Sequence, residues 1–343
     1  MLRSLLLTGL VSLMISPVFA QSLAVGDDVA DLECRNWINQ PAWASFSELK
    51  GDVILIRAWG IDNVPSMRQL GEMNEHAKKP GLHVVSLYAH VHKLSQIEEV
   101  VTKNNIMYPV ALDCSDTWIA SMDGLALPRT WIVGADGKIK FAGIGEYAEV
   151  LAKELAAVKY PGLGLDKVPA ALEPAAKAFV EGKFADAYKM AEKIYDDTDD
   201  SAVEEAADAI MDRIDDRMST LSVRAETSEV MKDYELAIRA WTELLRFKGL
   251  DDAAEAPERL KKLQDDKEVK KEIEARKKLR ALTLDLDVEF QAVDDESADA
   301  VYTFREKCLK AYEKFMADNK GTGAADLAGS LADNFKKLLG LDE

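Results

Sequence analysis

Two hydrophobic patterns divide the chain. Up to about residue 160, short apolar runs alternate with amphipathic stretches, whereas beyond it only helical spacing recurs. Residues 53–58 are too few for a helix and rich in β-branched side chains, which predicts a buried strand. Asp62 or Asn63 then offers an N-cap, with Pro65 in the first turn, where its missing N–H is no loss. The helix so opened should run to about residue 79 and stop at Pro80-Gly81. Residues 82–88 and 108–112 read as further strands, with an amphipathic helix over 94–103 between them. Residues 125–143 read as a strand, an Asp136-Gly137 turn and a returning strand. Ser45 and Glu48 have capping-box spacing and predict a short helical turn before Gly51. Strands alternating with helices and closing on a hairpin specify an α/β domain with a mixed sheet.

Residues 161–343 carry no strand pattern. Pro161, Gly162, Gly164 and Pro169 suggest a short linker into helices. Phe184 to Ala187 and Tyr234 to Ala237 each resemble the aromatic-x-x-Ala opening of the second helix in a tetratricopeptide repeat. They stand 50 residues apart, against about 34 in a regular repeat, so a degenerate helical-hairpin array is expected. The acidic run 196–200 lacks the glycine and bidentate glutamate of a calcium loop. Ser201 and Glu204 beside it read as a capping box. Glu272 with Arg276, and Glu274 with Lys278, suggest one solvated helix face. Val301, Phe304, Cys308, Tyr312 and Phe315 recur at helical spacing and predict a core face that includes the cysteine.

Charge sharpens the division. Residues 21–160 carry 13 Lys and Arg against 18 Asp and Glu, whereas residues 161–343 carry 29 against 43. The net charge of −18 argues against nucleic acid or anionic lipid as a partner. Residues 1–20 begin with a basic Arg3, continue as an apolar run and end Val18-Phe19-Ala20, the pattern of a cleaved signal peptide. No cysteine follows the cleavage point, so a periplasmic or secreted protein without a lipid anchor is expected, and nothing later reads as membrane-spanning. The expected organisation is a signal peptide (1–20), an α/β domain (21–160) and a helical domain (161–343). Cys34, Cys114 and Cys308 are too few and too scattered for a disulfide framework, although a Cys34–Cys114 bridge is conceivable.

The stretch from Trp59 to Met73 carries a resemblance. Trp59-Gly60, Pro65 and Gln69-Leu70-Gly71-Glu72-Met73 follow the active-site segment of thioredoxin-like proteins of the TlpA/redoxin type. Leu127-Pro128-Arg129-Thr130, followed by Asp136-Gly137-Lys138-Ile139, is similar to the segment in which that family places a cis-proline opposite the active site. The resemblance covers about residues 25–150 and implies a thioredoxin-like fold. The family's two active-site cysteines are replaced, by Asn63 and Ser66. A thiol–disulfide oxidoreductase needs an attacking thiolate and a resolving thiol, and Asn63 can supply neither. As good cap and turn formers, Asn63 and Ser66 are expected to preserve the fold rather than to catalyse.

The resemblance leaves Trp59, Pro65, Pro128 and Arg129 as candidate binding residues. Arg57, Arg68 and Arg129 flank the turn or the proline, and Arg57, charged within an apolar strand, is expected to pair with Asp62 or Glu72. His90 and His92 point the same way along an extended chain, but a two-histidine pattern is better read as a solvated loop than as a metal site. No cofactor and no metal is expected. The expected function is an exported, redox-inactive module that binds a protein or peptide or acts as an adaptor. The alternative is a divergent TlpA-type thiol–disulfide oxidoreductase using Cys34 or Cys114.

Overall fold

The structure, a computed structural model, describes residues 23–34, 36–114, 118, 126–165 and 167–341. The signal-peptide expectation lies outside these residues. The described residues fall into two compact units, one drawn from 23–90 and 100–265, the other from 91–99 and 266–341.

In the first unit, β1 (Trp37–Ile38), β2 (Val53–Trp59), β3 (Leu82–Tyr88), β4 (Val110–Ala111), β5 (Arg129–Val133) and β6 (Ile139–Gly143) form one six-stranded sheet. The spatial order is β1-β4-β3-β2-β5-β6. β3 runs parallel to β2 and β4, while β1, β5 and β6 pair antiparallel with their neighbours, so the sheet is mixed as expected. β2 is central and all seven of its residues are buried. Each of its large aliphatic side chains contributes roughly 1.5–3 kcal/mol by leaving water. The expected strand over 108–112 contracts to β4, although Pro109 O and Leu112 N on either side of it still bond to Ser86 N and Asn36 O.

In sequence, α1 (Val64–His76) follows β2, α2 (Leu94–Lys103), whose residues up to Glu99 fall in the second unit, follows β3, and α3 (Ala148–Ala157) follows β6. α1 packs on β3 and α3 on β2. α1 ends at His76 rather than residue 79, and two tight turns carry the chain to Gly81.

The helices that follow belong to the same unit. α4 (Glu173–Val180), α5 (Phe184–Asp197), α6 (Ser201–Val230), α7 (Tyr234–Leu244) and α8 (Ala256–Asp265) pack each on the next, as expected of helical hairpins. Ala187 and Ala237, the small residues of the two repeat-like openings, are fully buried where neighbouring helices approach. The cap of α6 is Asp200, whose carboxylate accepts from Ala202 N at 2.9 Å, so Ser201 is the first helical residue and not the cap.

The expected linker at 161–164 is a packed joint. Gly162 O accepts from Arg213 Nε at 3.0 Å and from Arg217 Nη2 at 3.1 Å. Arg213 Nη2 also donates to Glu48 O at 3.1 Å and Lys50 O at 2.9 Å. Arg224 clasps the Glu48 carboxylate with both nitrogens, at 3.0 and 2.6 Å, and donates to Ala42 O. Gly162 has φ +73°, a conformation that favours glycine, and a Cβ there would press on Arg217 Nη2 at 2.5 Å. The arginine face of α6 thus ties the helices to the β2 side of the sheet.

The second unit contains α9 (Lys267–Phe290), α10 (Ala298–Asp318) and α11 (Gly323–Leu339). Phe304, Cys308, Tyr312 and Phe315 lie in its core as expected, with Val301 half-buried. Glu272 departs from expectation. It is only 3% exposed, and its carboxylate accepts from Gly323 N at 2.5 Å, Ala324 N at 2.9 Å and Arg276 Nε at 3.1 Å. The Glu272–Arg276 pair is therefore no solvated pair but a buried anchor for the N-terminus of α11.

Candidate functional site

β2 delivers the chain to the turn at 60–63. Gly60 makes room there for the His90 ring, which a Cβ would approach to 2.4 Å and have to displace. Asn63 has extended backbone angles, and its Oδ1 accepts from Ser66 N at 2.8 Å, a standard N-cap. The same oxygen accepts from Ser66 Oγ, also at 2.8 Å. Ser66 is 1% exposed, so its hydroxyl has neither a base beside it nor an open path to a substrate. The residues at the two expected cysteine positions are therefore bonded to each other, which completes the cap.

The expected binding residues divide. Pro65 is exposed at the head of α1, and Pro128 and Arg129 are half-buried. The Leu127–Pro128 bond is cis. Ala58 pairs with Arg129 across β2 and β5, so Pro128 follows in register beside the end of β2, where the turn begins. Arg129 lays its guanidinium over the Trp131 ring, 5.4 Å from the centroid. Trp59 is 1% exposed and packs edge-on against Tyr88 at 5.0 Å. It shapes the turn from beneath and presents no surface to a ligand. Arg68 lies exposed on α1.

Arg57 is 5% exposed, and its partner is neither of those expected. Nη1 donates to Tyr147 Oη at 3.0 Å, with the guanidinium 5.2 Å from the ring centroid. Tyr147 Oη donates in turn to Glu72 Oε1 at 3.1 Å. His76 Nε2 lies 3.4 Å from both the tyrosine oxygen and the same carboxylate oxygen. Burial and the nearby Lys79 hold His76 below the usual imidazole range, with Glu72 opposing them. Burial pushes the Tyr147 hydroxyl up to about 12. Tyr147 is the residue that sequence reasoning missed; it lies 90 residues from Arg57, with no local signal to mark it. His90 Nδ1 sits 3.7 Å from the Asp62 carboxylate at the turn itself.

All three cysteines are free thiols, so Cys34 and Cys114 form no bridge. Cys34 Sγ donates to Asn36 O at 2.9 Å and to Asp113 Oδ1 at 3.2 Å. Burial, and then the negative charge of Asp113, push its thiol far above the ordinary range. Cys114 is raised to about 12 by burial and by Asp113. Neither thiol has the electropositive setting that produces a nucleophilic thiolate at neutral pH.

The strand order, the parallel β3, the helix opening directly from β2 and the cis-proline beside the end of β2 define a thioredoxin-like α/β region, followed by an all-helical region. The chain is similar to the thiol–disulfide oxidoreductase ResA of Bacillus cereus (strain ZK / E33L), 26% identical over 102 residues. That match covers 29% of this chain and 58% of the relative, so the chain spans a little under three fifths of that relative's length. Among solved structures, a putative thiol:disulfide interchange protein DsbE from Chlorobium tepidum is similar at 19% identity over 40% of this chain and 99% of its own, with a TM-score of 0.32. A secreted thiol-disulfide isomerase from Corynebacterium glutamicum is similar at 21% identity over 33% of this chain and 74% of its own, with a TM-score of 0.28. No protein-family model matches the chain.

Proposed function

We propose that this protein is an exported, redox-inactive thioredoxin-like module that binds a protein or peptide segment beside Pro128 and acts as an adaptor. The observation that carries the proposal is the pair of hydrogen bonds from Ser66 N and Oγ to Asn63 Oδ1, which occupies the position of an attacking and a resolving thiol with a closed helix cap. The half-buried Pro128 and Arg129 and the exposed Pro65 leave a surface at the turn that a polypeptide could cover. Residues 1–20 fit a cleaved signal peptide by their sequence pattern.

The competing reading, a divergent oxidoreductase using Cys34 or Cys114, draws on the similarity to the thiol–disulfide oxidoreductase ResA. The raised thiols of both cysteines oppose it. Reduction of insulin by the purified chain with dithiothreitol discriminates the two. No acceleration over dithiothreitol alone is expected, and catalysis that disappears in Cys34→Ser or Cys114→Ser would overturn the proposal. Asn63→Cys combined with Ser66→Cys should create a thiol of lowered pKa at the head of α1. An unreactive pair there would break the correspondence with the redox turn.

A further inference from the structure

The opposite end of β2 opens into a cleft of about 950 Å³. Asp52, immediately before β2, and Leu82 and His83, at the start of β3, form one wall, whereas α4, α6 and the segment after α7 form the other. Pockets of this volume ordinarily hold a drug-sized ligand.

The helical wall is an aromatic ladder with cations laid across it. Phe179 and Phe184 meet edge-on at 5.2 Å, and Phe184 stacks on Phe247 at 4.5 Å. The Arg217 guanidinium lies 5.1 Å from the Phe179 centroid, and that of Arg246 lies 5.0 Å from Phe184. Stacking of this kind fixes the plane of each guanidinium while leaving its edge nitrogens available for hydrogen bonds.

Carboxylates also line the cleft, but most are already engaged. Glu48 is held by Arg224, Asp52 Oδ2 lies 2.9 Å from His83 Nε2, and Glu243 accepts from Arg246 Nη1 at 3.2 Å. Arg213 is committed to three backbone carbonyls and is a structural latch. Among the described residues Arg217 makes one hydrogen bond, to Gly162 O, and Arg246 one, to Glu243, so both keep unused donors, and both line the cleft. Burial pushes Arg217 down to about 10, and the neighbouring Arg213 and Arg246 add to that shift while Asp52 opposes it. An anion seated here would relieve that repulsion.

We infer that this cleft is a binding site for a peptide C-terminus, with the carboxylate held by Arg217 and Arg246 and an apolar side chain set against the cleft's apolar walls. The planar fork of arginine matches a carboxylate with two parallel hydrogen bonds. Trp43 and Met107 line the cleft and supply its apolar surface, while Phe179, Phe184 and Phe247, each 2% exposed, serve to hold the guanidinium groups in place. The site lies at the opposite end of β2 from the Asn63 turn, so its test and that of the proposed function fail independently.

The test is equilibrium dialysis of the full chain against a pool of acetylated dipeptides ending in Leu, Ile or Phe. The pool is prepared once as free acids and once as carboxamides, and retention is read by mass spectrometry. Free acids should be retained at least about tenfold over amides, as expected when a charge-assisted pair is lost. Arg246→Gln, on an exposed side chain that holds no backbone group, should reduce retention about tenfold with unchanged thermal unfolding. Arg217→Gln should abolish retention, and Arg217→Lys should restore part of it. Equal retention of acids and amides, no retention of either, or no effect of Arg246→Gln would overturn the inference. Displacement of the acids by an equal concentration of inorganic phosphate would mark a general anion patch and overturn the peptide assignment.

Discussion

The two ends of strand β2 make opposite use of polar side chains. At the Trp59 end, Asn63 and Ser66 satisfy each other within four residues and close the head of α1. At the Asp52 end, arginines from α6 reach back more than 160 residues to the carbonyls and carboxylate of the 42–50 segment. The first end keeps the outline of a reactive turn but has satisfied the groups that would react. The second carries no recognisable motif but retains cations with unused donors over an aromatic wall. A familiar motif and an available chemistry are thus separate properties, and in this chain they lie at opposite ends of one strand.

Substitutions can break that contrast, and the largest effect is expected at the arginine end. Arg213→Ala removes three hydrogen bonds from a charged donor and leaves the part-buried Glu48 carbonyl without that partner, which should cost about 3 kcal/mol in urea unfolding. A loss well below about 1 kcal/mol would show that the joint is held by packing alone. Arg224→Ala removes a two-pronged pair with Glu48 and should cost about 1.5 kcal/mol, with Glu48→Gln recovering less than half of the coupling in a double-mutant cycle. At the turn, Asn63→Ala should cost about 1 kcal/mol, the ordinary worth of an N-cap, and Asn63→Asp should restore it. Unchanged stability in Asn63→Ala would mean that the turn is fixed by Gly60 and Pro65 rather than by the cap.

The smallest effect concerns pH and sharpens the account of the network beneath α1. His76 has its folded pKa held below its unfolded value. The unfolded chain therefore takes up the proton first, so the stability that neutral His76 contributes is complete above about pH 6.5 and is lost as pH falls toward the folded pKa. Urea unfolding at about pH 7.5 and about pH 5.5 should show that decline, and His76→Gln should flatten it. A slope that survives the substitution would assign it to other groups.

The sequence and the structure agree where a signal is local. β2 was legible because its apolar run is short and β-branched, and the cap of α1 because Asn63 and Pro65 stand at the correct spacing. The hairpin at Asp136-Gly137 was legible because Gly137 takes φ +78°. The outline of the candidate turn followed from the same local rules. What its polar groups do did not, because Ser66 could be an exposed hydroxyl or a buried cap donor with the same neighbours in sequence.

Pairing by spacing alone misled at Arg57 and Glu272. Each has an opposite charge at a plausible interval, yet Arg57 reaches Glu72 only through the Tyr147 hydroxyl, and Glu272 anchors a helix that begins 51 residues later. Periodicity specifies which face of an element is apolar, but not which distant element will cover it.

The sequence by itself determined most of the elements, the cap of α1, the mixed α/β order of the first region and the helical spacing of the second. These follow from backbone sterics, side-chain branching and hydrogen bonds within a few residues. Only the tertiary structure decided that the joint at Gly162 is packed, that Tyr147 closes over Arg57, and that Arg217 and Arg246 share a cleft with an aromatic ladder. Each depends on groups brought together by the fold from far apart in the chain, where burial sets the strength of their interaction.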